Sequence, residues 1–207
     1  MPRRASAGLS RTRDRGEQPG ADGRVLRGAR NRAAIVDALA ALVKEGELVP
    51  TAEQVAQRAG VGTRTVFRHF EDMDSLFSLV SERVEAEYGA IAADPFEGPL
   101  EKRIGEMVQR RSALFERIAP FKRSANVQRR SSAFLQANHK RTVKRQRAWL
   151  LRALPELERA DPALLEAIDL VTSIEAWDRL RVDQRLGRER ALHVMERSVR
   201  ALLGKRP

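Results

Sequence analysis

The stretch that most constrains this chain runs from Thr51 to Phe70. It reads as two short helices joined by a tight turn. Thr51 is a good N-cap, and Gln54, three residues on, completes a Thr-x-x-Gln capping box that satisfies two backbone N–H groups reciprocally. This helix buries Val55 and Ala56 and runs to Ala59. Gly60-Val61-Gly62 then breaks it. Thr63 is placed to cap a second helix, Arg64 to Phe70, with Val66, Phe67 and Phe70 as its apolar residues. Two short helices linked by a three-residue, glycine-containing turn make a helix-turn-helix.

The chain around this module also reads as helix. Ala29 to Glu45 places Ile35, Ala38, Leu39, Leu42 and Val43 at steps of three and four, one buried face of a helix that Gly46 ends. No run alternates apolar and polar residues between turn residues, so strands have little support. Only 5% of the 207 residues are aromatic, against 42% hydrophobic and 32% charged. That balance argues against a β-sandwich or barrel, and the spacing of apolar residues and breakers along the chain reads as all-α with about nine helices.

The small Ala56 and Ala59 allow the two short helices to approach closely. The second helix then presents Thr63, Arg64, Thr65, Arg68 and His69 outward, and its N-terminal end fits a major groove about 12 Å wide. Arginine offers bidentate donors to guanine O6 and N7. Thr51 is placed to give a hydroxyl and a backbone N–H to a phosphate. The bland alternative is a structural helical hairpin, because many helix pairs share this pattern.

Charge favours a polyanionic partner. The net charge is +11, gathered in two blocks. Residues 1–30 carry eight arginines against Asp14, Glu17 and Asp22, in a Gly/Ser/Pro-rich context without apolar periodicity. Residues 1–28 are therefore expected to be a disordered arm that follows phosphates or enters a minor groove. Residues 120–152 hold ten Lys and Arg and no acid. The bland account of that block is a solvated helix face; the others are attraction of an anionic effector and extra DNA contact.

Several functions find no support. Cysteine is absent, which removes disulfides and thiolate chemistry and fits a reducing cytoplasm. His69, His139 and His193 are scattered, with no metal-ligand spacing. Gly60-Val61-Gly62 lacks the third glycine and the preceding strand of a dinucleotide loop. No cofactor or metal is expected, and an enzyme is a remote alternative. No apolar run approaches the ~20 residues that span a bilayer, and no apolar segment follows Arg3-Arg4 as a secretory signal would require.

The segment TAEQVAQRAGVGTRTVFRHFEDMDSL, Thr51 to Leu76, resembles the signature of the tetracycline-repressor (TetR) family of bacterial transcription regulators. The likeness rests on Ala59-Gly60-Val61, then Thr65-Val66-Phe67-Arg68-His69-Phe70, then the acidic link Glu71-Asp72. It covers the ~45 residues from Ala29 to about Leu76. The resemblance implies phosphate contacts from Thr51, Thr65 and His69, and base-edge contacts from Arg64 with Thr63, Thr65 and Arg68. Two positions depart from the pattern. Phe67 stands where the family often has a phosphate-binding tyrosine, which leaves Phe67 a packing role. Met73 stands where a lysine is common, beside Asp72 and Asp74, which are expected to cap the next helix.

The resemblance also frames the remainder. It implies a helix-turn-helix domain over 29–75 and a helical effector-binding and dimerisation domain over 76–207. Asp72 to about Ala92 is expected as the linking helix. Another runs from Pro99 to Ala119, closed by Pro120. A short and a long helix follow over 121–153. Asp161-Pro162 opens a helix burying Leu164, Ile168, Leu170, Val171, Ile174 and Trp177, and the last helix follows Gly187. The last two helices are expected to pair with those of a second subunit through Ile168, Val171, Leu192, Met195, Val199 and Leu202. Such a homodimer spaces two recognition helices for a (pseudo)palindromic operator on double-stranded DNA. Phe115, Phe134, His139, Trp149 and Trp177 are the candidate lining of a small-molecule site. The implied function is a DNA-binding regulator, a repressor released by an effector; the alternative is a ligand-independent or architectural DNA-binding protein.

Overall fold

The computed structural model describes residues 19–204, and among these every regular element is helical. The elements are α1 (Pro19–Lys44), α2 (Ala52–Ala59), α3 (Thr63–His69), α4 (Met73–Ala93), α5 (Leu100–Gln128), α6 (Ala133–Ala153), α7 (Pro162–Val171), α8 (Ile174–Asp178) and α9 (Arg188–Gly204). A 3-10 turn, Pro155–Arg159, joins α6 to α7, and a π-helical turn, Arg179–Asp183, follows α8.

Two apolar cores divide the molecule. The first gathers Ile35, Leu39 and Val43 of α1, Val55 and Ala56 of α2, Val66 of α3 and Leu76, Phe77 and Val80 of α4. The second is built from α5, α6, α7, α8 and α9 around Phe115, Leu150, Trp177 and Met195, with Val84 and Ile91 of α4 packed against it. Helix α4 thus passes from one core to the other between Val80 and Val84, a turn beyond the expected boundary at 75.

Several elements differ from expectation. Helix α1 begins at Pro19, so 19–28, read above as part of a disordered arm, is helical; the first 18 residues of that arm lie outside the described residues. Helix α5 does not stop at Pro120 but continues to Gln128. Proline removes one backbone N–H and crowds the preceding turn, at about 3 kcal/mol or more. The residues beyond it offset that cost, because Phe121 packs on the first core and Ser124 and Gln128 donate to the Leu48 carbonyl at 2.9 and 3.1 Å.

The penultimate helix is broken in two. The Thr172 hydroxyl donates to the Ile168 carbonyl (2.7 Å), and Ser173 Oγ accepts from the Ala176 N–H (3.1 Å) to cap α8. Two consecutive hydroxyl residues thereby take over backbone partners that an unbroken helix would use. Buried Arg111 of α5 locks the break. Its guanidinium donates to the Thr172 carbonyl (2.8 Å), Thr172 Oγ1 (2.7 Å) and the Gln146 carbonyl of α6 (2.7 Å), and lies over the Trp149 ring.

Candidate nucleic-acid interface

The helix-turn-helix is held from below by α1 and from within by its own caps. Thr51 Oγ1 accepts from the Gln54 N–H (3.2 Å), and Gln54 Oε1 accepts from the Thr51 N–H (2.7 Å), so both halves of the expected capping box form. Gln54 Nε2 also donates to Glu47 (3.1 Å), which ties the start of α2 to the loop after α1. At the other end Gly60 adopts φ 67°, a left-handed conformation that favours glycine, and the Val61 N–H reaches the Ala56 carbonyl at 3.0 Å. A bidentate Arg58–Glu45 ion pair fixes the last turn of α2 to the end of α1. That contact holds the Glu45 carboxyl below its ordinary range and commits Arg58 to the scaffold.

Helix α3 starts one residue earlier than expected. Gly62 is its N-cap, and Thr63, expected as the cap, is the first helical residue. Val66 (1% exposed) and Phe70 (4%) anchor α3, and the Arg32 guanidinium lies over the Phe70 ring. Anchoring by these two turns Arg64 and Arg68 outward, and among the described residues no carboxylate pairs with either. Thr63 and Thr65 flank them, half-buried, and Thr51 is exposed at the start of α2.

One residue of the motif behaves otherwise than expected. Phe67 does not pack: its ring is 51% exposed and stands on the outer side of α3. The residue pattern missed this because an apolar residue at helical spacing reads as core, whereas α3 is too short to bury more than one stripe. His69 is half-buried against Gly28 of α1, and its Nε2 is enclosed with no hydrogen-bond partner. The ring thus sits between the end of α3 and α1.

Of the two acids expected to cap the next helix, Asp72 does so and Asp74 bonds elsewhere. Asp72 accepts from the Ser75 N–H (2.7 Å) and from the Ser75 hydroxyl, contacts that hold its carboxyl below the ordinary aspartate range. Asp74 accepts from Ser132 Oγ (2.8 Å), the residue that also caps α6 through the Leu135 N–H.

With this geometry in view, likeness to known proteins becomes informative. The profile of bacterial regulatory proteins of the tetR family matches residues 35–80, the segment holding the first core and the helix-turn-helix. Over residues 35–80 the chain is therefore similar to that family. Solved structures share the fold over most of its length. A transcriptional regulator from Rhodococcus sp. RHA1 superposes with a TM-score of 0.65 at 19% identity, covering 86% of this chain and 96% of that one. A TetR-like transcriptional regulator of the same organism gives 0.55 at 17% identity, covering 86% and 97%. A TetR transcriptional regulator, also from Rhodococcus sp. RHA1, gives 0.51 at 19%, covering 84% and 97%. No curated protein sequence matches the chain. The TetR-family domain carries the DNA-binding helix-turn-helix, and no helix among the described residues is long and apolar enough to cross a membrane.

The expected ligand and dimer residues are largely claimed by the monomer core. Phe115, Trp149 and Trp177 are buried in the second core, and Trp177 Nε1 donates to Glu116 (2.9 Å). Phe134 is half-buried on α6, and His139 lies 3.4 Å from the Lys122 amine, its imidazole pushed below its ordinary value first by burial and then by that cation. None of the five lines the small space between the two cores. That space is a cavity of about 70 Å³ between α1, α4, α5 and α6, walled by Val43, Phe77, Val84, Phe121, Leu135 and Thr142 among others. Ile168, Met195 and Val199 are likewise buried within the monomer, where α7 packs on α9, so they are not available to a second subunit. Val171, Leu192 and Leu202 are half-buried, and Leu170, read above as buried, is 69% exposed.

Proposed function

We propose that the chain is a transcriptional repressor that binds a (pseudo)palindromic operator as a homodimer and is released by a small-molecule effector. The single observation that supports it is the outer face of α3. Two unpaired arginines, Arg64 and Arg68, stand there on a helix anchored by Val66 and Phe70. In this reading Arg64 reads a base edge, Arg68, Thr63 and Thr65 contact base edges or backbone, and Thr51 positions α2 on a phosphate through its hydroxyl proton. His69 fixes the end of α3. Residues 35–80 act as the DNA-binding unit and the α5–α9 core as the effector and dimerisation unit. The two recognition helices are spaced by pairing of the α7 and α9 surfaces, with exposed Leu170 at the contact.

Release is assigned to the cavity between the two units. Ser124, which lines it, donates to the Leu48 carbonyl, three residues before Thr51. A ligand that favours a widened cavity would pull on this bond and tilt α2 and α3. Such coupling requires that the ligand bind the two arrangements unequally.

The test is selection of bound duplexes from a random pool, followed by anisotropy titration of the selected sequence. Arg64→Ala should weaken binding by about 1–3 kcal/mol and relax the preference at one position per half-site. Unchanged affinity and unchanged preference would remove Arg64 as a reader. Light scattering of the free protein checks the dimer, and a compound screen for loss of the bound signal checks release.

A further inference from the structure

We infer that Phe67 is a specificity residue that reads thymine, packing its ring on the C5-methyl group at one position of each bound half-site. The inference rests on the duplex-binding reading above and adds to it a base identity.

The first support is an unexplained exposure. The N-terminal unit buries its other phenylalanines, leaving Phe70 4% and Phe77 5% exposed, while Phe67 is 51% exposed. An apolar ring left half in water on a seven-residue helix contributes little to the fold.

Direction is the second support. At about 100° per residue, Phe67 lies about 100° round the helix from buried Val66, about 60° from Arg64 and about 40° from Thr63. It therefore shares the outer face with Arg64, one turn on from Thr63. A duplex that meets Arg64 meets this ring as well.

The third is chemical. A phenyl ring offers neither donor nor acceptor, so it cannot take a phosphate, and it leaves unpaired any base-edge polar group it covers. Of the groups displayed in the major groove, only the thymine C5-methyl is apolar. Cytosine in the same place carries only a hydrogen at C5, so the ring covers less apolar surface there. The ring thus favours thymine by the methyl group it covers.

The experiment starts from the sequence selected by the full chain. Each thymine is replaced in turn by deoxyuridine, which deletes the methyl group and keeps every hydrogen-bonding atom. One replacement per half-site should weaken wild-type binding about fourfold, the worth of one buried methyl-sized group. In Phe67→Ala the same replacement should have no effect, and in Phe67→Leu a reduced one. Because the ring is exposed, both variants should melt as the wild type does, which separates reading from folding. The inference is overturned if every deoxyuridine duplex binds as tightly as its parent, or if wild type and Phe67→Ala lose equally. Enrichment of a sequence with a flat deoxyuridine scan removes only this inference. Failure to enrich any duplex removes it together with the DNA-binding reading.

Discussion

Replacing Arg111 by methionine should loosen the whole C-terminal unit, because one guanidinium joins three elements there. Arg111 is 1% exposed and donates to the Thr172 carbonyl, Thr172 Oγ1 and the Gln146 carbonyl. Hydrogen bonds from a charged group contribute about 1.5–3 kcal/mol each. Against them stands the desolvation of a buried cation, several kcal/mol after relaxation. Methionine removes both contributions and nearly conserves the packed volume. It leaves two carbonyls and a hydroxyl without the donor that held them. Two of the three also have helix partners of their own, so the lower end of the range applies. The net expectation is a loss of about 3 kcal/mol, and for a chain of this size each 1 kcal/mol is worth roughly 2–4 °C in Tm. Thermal melts at fixed protein concentration should therefore show a fall of roughly 6–12 °C, with a change in tryptophan emission because the Trp149 ring lies 5.3 Å from the guanidinium carbon. Thr172→Val removes only the hydroxyl and should cost less, and the double variant should cost less than the sum of the two. A Tm equal to or above that of the wild type would mean that burying the charge costs more than the three bonds return, and would refute the tie.

Three further outcomes can be checked. Burial pushes the Asp169 carboxyl above its ordinary value, against the pull of Arg111 and Arg147. A raised carboxyl makes the folded state bind more protons than the unfolded one, so this group's contribution falls as pH rises from the ordinary aspartate value, about 3.9, through the folded value. Asp169→Asn should thus stabilise the protein at neutral pH and give no such gain below about pH 4; a gain that persists there would point to packing instead. Thr51→Ala breaks the capping box and should cost about 0.5–2 kcal/mol in urea melts, whereas Thr51→Ser should retain most of it; equal losses would exclude the hydroxyl. Deleting residues 1–18, which hold five arginines, should flatten the salt dependence of duplex binding if they reach phosphates; an identical slope would reject that role.

Much of the N-terminal unit could be read directly from the residues, because its determinants are local. The capping box at Thr51 and Gln54, the left-handed Gly60, the Asp72 cap and the Asp161-Pro162 helix start all depend on neighbours a few positions away. Periodicity likewise located the buried face of α1. The same local rules misjudged Phe67, since a pattern of apolar residues does not say how many stripes a short helix can bury.

What only the tertiary structure decided are the outcomes of competition between distant groups. Whether α5 survives Pro120 depends on the Leu48 carbonyl, 76 residues from Ser124. Whether the chain breaks at Thr172 depends on a guanidinium 61 residues away. Which side of α7 and α9 is left for a second subunit depends on how the two helices pack, and that packing hides Ile168, Met195 and Val199. A cap or a glycine turn costs or returns its free energy within one turn of helix, so the sequence alone carries it. Long-range hydrogen bonds and shared cores repay their cost only after the chain has closed on itself, so no local window contains them.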